Sequence, residues 1–126
     1  MQITLVSGKR SRKDFLDTAR LIYKDDKNWI CPLDQDIEQI FDQHKNPFFQ
    51  HGKCVRWVLK DNNGIPIGRI AGFINDKKAF QWEQPTGGIG FFECVNNKDA
   101  AFLLFDTAKS WLQKNDMKAM DGPINF

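Results

Sequence analysis

The sequence lacks most of the features that assign a function at sight. No apolar run approaches the ~20 residues that a membrane-spanning helix needs, and Met1-Gln2-Ile3 opens a strand pattern rather than a secretion leader. No membrane partner is expected. Three cysteines, Cys31, Cys54 and Cys94, are an odd number at wide spacing and form no CxxC. With Cys54 and Cys94 inside apolar runs, they are read as buried, reduced thiols of a cytoplasmic protein. The two histidines, His44 and His51, flank Pro47 at a spacing that fits no metal motif, so no metal is expected. The formal charge is only +2, too small to imply a nucleic-acid partner. The basic run Lys9, Arg10, Arg12 and Lys13 reads as the solvated start of a helix. Internal repeats, low-complexity tracts and linkers are absent, which leaves one domain over residues 1–126.

What is present is a core. Hydrophobic residues make up 41% of the 126 and aromatics 13%, eleven of them Phe, as in a globular chain. Gln2 to Ser7 alternates as a strand until Gly8. Ser11 is placed to cap a helix from Arg12 to about Lys24, with Phe15, Ala19 and Ile22, joined by Leu16 and Tyr23, as its buried stripe. Pro32 breaks an apolar connector, Trp29 to Leu33, and Asp34 starts a second helix through about Gln43. After the turn Asn46-Pro47-Phe48-Phe49, strands are expected over Cys54 to Lys60 and Ile65 to Asn75. They are joined by the hairpin turn Asp61-Asn62-Asn63-Gly64. A long polar connection, Asp76 to Gly87, is read as mobile.

The stretch Gly87 to Asp116 organises the rest. Ile89 to Val95 reads as a buried strand that turns at Asn96-Asn97 into a helix. Ala101, Leu104, Phe105, Ala108, Trp111 and Leu112 form one apolar face of that helix. Asn97 is its expected cap. A strand running straight into a helix aims free N–H groups and the positive end of the helix dipole at the space past the strand, which suits an anion. The same geometry is found at such junctions in any α/β scaffold. Met117 to Asp121 then reads as a last strand, which the right-handed crossover makes parallel to the one before the helix. The fold class is therefore α/β (α+β): a mixed, mostly antiparallel sheet with helices on both faces, in the order β-α-α-β-β-β-α-β.

This order resembles the N-terminal part of the GNAT N-acetyltransferase fold. Asn46-Pro47-Phe48-Phe49, Gly68-Arg69-Ile70, Gly90-Phe91-Phe92-Glu93 and Gly122-Pro123-Ile124-Asn125 are similar, in order, to motifs of a bacterial family of GNAT-like proteins. Members of that family are longer, so the resemblance implies a domain that is incomplete after Phe126. It also implies an exposed sheet margin at Met117 to Asp121, where self-association or disorder of the last few residues is expected, with little or no turnover by this chain alone. The activity implied is transfer of an acetyl group from acetyl-CoA to a small-molecule or peptide amine. The cofactor-binding residues implied are Cys94, Val95, Asn96, Asn97, Lys98, Ala100 and Ala101. Within the superfamily pattern Arg/Gln-x-x-Gly-x-Gly/Ala, Val95, Lys98 and Ala100 hold the marked positions, and only Ala100 matches. Lys98 replaces the glycine that admits the pyrophosphate and offers an ammonium instead.

Acetyl transfer also needs a base to deprotonate the amine. By the resemblance Glu93 is the catalytic carboxylate, against the alternative of a paired or solvent-facing strand residue. Many GNAT enzymes carry their acid, a tyrosine, on a helix beyond the fifth strand. Here the only tyrosine, Tyr23, is assigned to packing on the first helix, and Arg69 is left between a ligand-holding and a solvent-facing role. A non-catalytic GNAT-shaped binding or interaction module, with a degenerate cofactor loop, is the alternative reading. Whichever holds, thiol counting on the unfolded, unreduced protein should give three free thiols; a count of one would contradict the reduced state.

Overall fold

The computed structural model describes residues 1–80 and 84–122. Trp82 of the polar connection and the residues after Gly122 in the fourth motif lie outside the described residues. Five strands, β1 (Gln2–Leu5), β2 (Gly52–Lys60), β3 (Pro66–Asn75), β4 (Thr86–Cys94) and β5 (Ala119–Asp121), form one sheet in sequential order. The first four are antiparallel, and β5 joins β4 in parallel. Helices α1 (Lys9–Ile22) and α2 (Asp34–Ile40) cover one face, and α4 (Lys98–Lys114) covers the other. A one-turn helix, α3 (Asp76–Ala79), follows β3.

The period-2 alternation of β2 divides the core. Val58 faces Phe15 of α1 and Ile37 of α2, while Trp57 and Leu59 face the α4 layer. On β3 the even-numbered residues Ile70 and Ile74 join the α4 layer, and Arg69 turns toward α1, where its guanidinium lies over Phe15. The α4 layer is the larger. Ala100, Leu104, Ala108 and Leu112 are all buried, at spacings of four that keep them in one stripe.

Several boundaries differ from those read in the sequence. α1 starts three residues early, with Gly8 as N-cap, because Ser11 lies inside the first turn and its Oγ accepts from the amides of Ser7 and Gly8 at 2.9 and 3.1 Å. The buried line of α4 runs through Ala100 rather than Ala101, a rotation of one residue. Asp76 to Ala79 is helical because Asn75 caps it, its side chain accepting from Lys77 N. Gly87 belongs to β4. Cys31 is exposed rather than buried, since it sits on the connector between α1 and α2.

β4 is irregular where it matters. Arg69 pairs with Glu93, but Ala71 pairs with Gly90, so β4 carries one extra residue between them. Phe91 takes φ +53°, a left-handed conformation rare for an aromatic residue. On the other side, β5 pairs only with Thr86, Gly87 and Gly88. From Ile89 to Cys94 that edge of β4 has no strand beside it among the described residues.

Leu104 is fully buried under α4. Leu104→Ala should destabilise the domain by about 2–5 kcal/mol through lost burial and a residual cavity, read as a lowered urea midpoint at unchanged slope.

Candidate active site

The α1 face of β3 and β4 carries the polar cluster. Arg69 and Glu93 are directly opposed across the two strands, where Cβ atoms lie about 5 Å apart and an ion pair is the expected outcome. The two side chains diverge instead. Arg69, only 5% exposed, bends into the α1 layer, donating from Nη1 to Phe15 O at 3.0 Å and from Nε to Phe91 O at 3.2 Å. Burial pulls its pKa down, and the nearby Glu93 charge offsets part of that. Glu93 accepts a hydrogen bond from the hydroxyl of Tyr23 at 2.5 Å instead.

Tyr23 reaches this position because it follows the last residue of α1 as its C-cap, where the chain leaves the helix. Its ring stacks on Trp29 of the connector at 5.2 Å between centroids. The assignment of Tyr23 to core packing is thus corrected: it is half-buried and polar in function. Its hydroxyl pKa is raised, first by the bond to Glu93 and then by burial. The rim is fixed by Arg20, which pairs with Asp17 and, across the connector, with Asp34; the bond to Asp34 holds its guanidinium pKa up. Leu16, Trp29, Cys31, Pro32, Asp34, Arg69 and Glu93 enclose a cavity of about 50 Å³.

The strand-to-helix junction lies past the end of β4. Asn97 caps α4 as expected, its Oδ1 accepting from Ala100 N at 3.1 Å. The cap and turn consume several of the eight amides from Cys94 to Ala101, a stretch made of the seven residues the resemblance implicates and Asp99. Val95 N donates to Ile67 O, Asn97 N to Val95 O and Ala101 N to Asn97 O. The amides of Asn96, Lys98 and Asp99 have no partner among the described residues. Ala100 is fully buried and Ala101 half-buried, so both serve α4 packing. Cys94 lies on the α4 side beside Gly68, and burial raises its thiol pKa. Lys98 is exposed, its Nζ 5.5 Å from the Phe102 ring centroid.

The sequence brought out Glu93 but not its neighbours. Helical periodicity alone puts Tyr23 in the apolar stripe, and its place at a helix end followed by Asp25 and Asp26 is the one signal against packing. Nothing in the apolar run of β3 says that Arg69 points inward rather than to solvent. No cluster of metal-ligating side chains is found among the described residues, and among them no helix is long and apolar enough to cross a membrane.

No family model matches the chain. The Escherichia coli K12 protein named Protein YghO is 28% identical over 119 residues. That match takes in 94% of this chain and 30% of the relative, so the chain spans less than a third of its length. Solved structures agree over nearly the whole chain. An aminoglycoside acetyltransferase from an uncultured soil metagenomic sample, in complex with sisomicin, superposes with TM-score 0.67 at 12% identity, over 98% of this chain and 77% of its own. AAC(6')-Iy in complex with the bisubstrate analogue CoA-S-monomethyl-acetylneamine gives TM-score 0.64 at 11% identity, over 98% and 79%. The ribosomal-protein-alanine N-acetyltransferase of Brucella melitensis biovar Abortus gives 0.62 at 11% identity, over 99% and 81%. At these identities the likeness shows the fold: it is GNAT-like.

Because Tyr23 is the only tyrosine, the ultraviolet absorbance of phenolate reports this site alone. Tyr23 should titrate above its ordinary value of 10.0, and Glu93→Gln should bring it back down by removing the charge that holds the proton. By linkage, the stability this contact contributes is fully present below the unfolded tyrosine pKa and is lost as pH rises through the folded one. An unchanged titration in Glu93→Gln would show that the two groups are not coupled in solution.

Proposed function

We propose that this domain is an acyl-CoA-dependent N-acyltransferase-type domain in which Glu93 is the base that deprotonates an amine. The observation that carries this reading is the edge of β4 from Ile89 to Cys94, which among the described residues has no strand beside it, has Glu93 on one side and the start of α4 at its end. Acetyl-CoA would supply an acyl group activated as a thioester. The chain's own donors fit its phosphates: the uncommitted amides of Asn96, Lys98 and Asp99, the positive end of a 17-residue helix, and the Lys98 ammonium. Asp99 opposes an anion there, and Lys98 answers it.

At the acceptor side, Oε2 of Glu93 is held by Tyr23 while Oε1 has no partner among the described residues. Oε1 is therefore the atom that takes a proton from an incoming amine. Tyr23 fixes the direction of the carboxylate and keeps its own proton. Trp29 and the connector exclude bulk water from one side of it. The acceptor is a small-molecule or peptide amine, and a cytoplasmic setting fits the thioester.

A second reading is favoured by the same loop: a GNAT-shaped binding or interaction module that self-associates through the β5 margin. Lys98 stands where the superfamily pattern has glycine, and four of the local amides are spent on the fold.

Two variants separate the readings. Glu93→Gln should lower kcat/KM for amine acetylation about a hundredfold or more with little change in thioester affinity. Lys98→Glu should weaken binding of the thioester by about tenfold and leave the base intact. Binding of acetyl-CoA without turnover in the unaltered protein would favour the module; no binding by calorimetry at millimolar ligand would remove the acyltransferase reading.

A further inference from the structure

The cavity between α1, the connector and β3–β4 contains two opposite charges that do not meet. Arg69 and Glu93 are register partners, yet they form no ion pair. Each is drawn off by other partners. Two of the three Arg69 nitrogens are spent on the carbonyls of Phe15 and Phe91. One carboxylate oxygen of Glu93 is spent on Tyr23. One group on each side chain is left over, Nη2 of Arg69 and Oε1 of Glu93, with no hydrogen-bond partner among the described residues.

Both residues line the same cavity. Arg69 is only 5% exposed, and its uncommitted nitrogen belongs to a side chain that lines the cavity, where a ligand or water can complete it. The other charges on the rim cannot do so. Arg20 already holds Asp17 and Asp34, and neither carboxylate pairs with Arg69. The complement of this pair of valences is a zwitterion, with a carboxylate for Nη2 and an ammonium for Oε1. The cavity of about 50 Å³ has roughly the room of three to five waters, which suits the amino-carboxylate head of a small molecule and not a sugar ring. A polycation gains nothing from a buried guanidinium and is repelled by it.

We propose that this cavity binds the amino-carboxylate head of an α-amino acid, with its carboxylate on Arg69 Nη2 and its amino group at Glu93 Oε1. The proposal rests on the acyltransferase reading only in calling that amino acid the acceptor; binding itself does not need a thioester. The amino group arrives as ammonium, donates to Oε1, and gives up one proton to Glu93 before it can act as a nucleophile. Its carboxylate remains ionised throughout. Arg69 therefore selects and orients, and Glu93 takes the proton.

The test is a nitrogen-15 NMR titration of the 126-residue chain, without thioester, with alanine, alaninamide, propionate and spermidine as separate probes. Alanine should saturate in the millimolar range and shift the Arg69 Nε–H signal together with the amides of residues 29–34. Alaninamide, which keeps the amine and loses the carboxylate, should bind at least tenfold more weakly, and spermidine should not shift these signals. Glu93→Gln, a half-buried change on the cavity wall, should weaken alanine several-fold and leave propionate unchanged. Alaninamide or spermidine binding as tightly as alanine, or no saturable shift at Arg69 with any carboxylate, would overturn the proposal. The acyltransferase reading fails separately. Saturable alanine binding in a protein that never turns over refutes only that reading, and equal acetylation of alanine and alaninamide refutes only this one.

Discussion

Helix α4 sits where it does because the strands beneath it withhold their side chains. A Cβ at Gly68 would lie 2.6 Å from Leu104 Cδ1, and one at Gly87 would lie 2.4 Å from Leu112 Cδ2. Gly72 admits the Trp111 ring, which would stand 3.0 Å from an added Cβ. Both leucines are buried and have no room to retreat. Close approach of helix to sheet lets one stripe of small and large residues, Ala100, Leu104, Ala108 and Leu112, close the larger half of the core. It also fixes the start of α4 at the end of β4, and so fixes where the open amides of Asn96, Lys98 and Asp99 lie.

The opposite face works by different means. α1 and α2 bury little beyond Phe15, Thr18, Ala19 and Ile37, and much of that layer is aromatic surface against guanidinium. Arg56 lies over the rings of Phe15 and Phe41, at 5.1 and 4.2 Å from their centroids, and pairs with Glu38 at 2.9 Å. Arg69 lies over Phe15 from its own side. Cation–π contact of this kind lets charge be carried inside a thin layer without a carboxylate beside each arginine.

Element order was legible in the sequence because period-2 and period-3.6 patterns survive in every long element, and the hairpin turn at Asp61 to Gly64 and the cap at Asn97 have chemistry that reads directly. Boundaries were less legible where one side chain has two uses. Ser11 looks like a cap and acts from within the first turn. Ala100 was assigned to a phosphate loop and is fully buried under the helix. The site was half legible. Glu93 came from resemblance in a short motif, but its partners depend on tertiary placement: Tyr23 on how α1 ends, and Arg69 on the depth of a layer that no local pattern encodes. Least visible was the extra residue in β4, since Gly90-Phe91-Phe92 reads as ordinary strand until its pairing is known.

That extra residue carries a consequence for how the domain can change over generations. Ile89 faces α4, and strict alternation onward would send Phe91 and Glu93 to α4 as well. With the irregularity at Phe91, Phe92 instead stacks on Phe105 of α4 at 4.5 Å, while Phe91 packs on Phe41 and Glu93 faces Tyr23. The carboxylate's side of the sheet is therefore a matter of reading frame in the pairing, set by one residue. Insertions in the Asp61 to Gly64 turn lengthen a loop and leave the domain's chemistry alone. Loss of a single codon between Ile89 and Phe92 would turn an acid into the leucine-lined side of the sheet, so a length change across these four positions alters the site's chemistry where one in the hairpin turn does not.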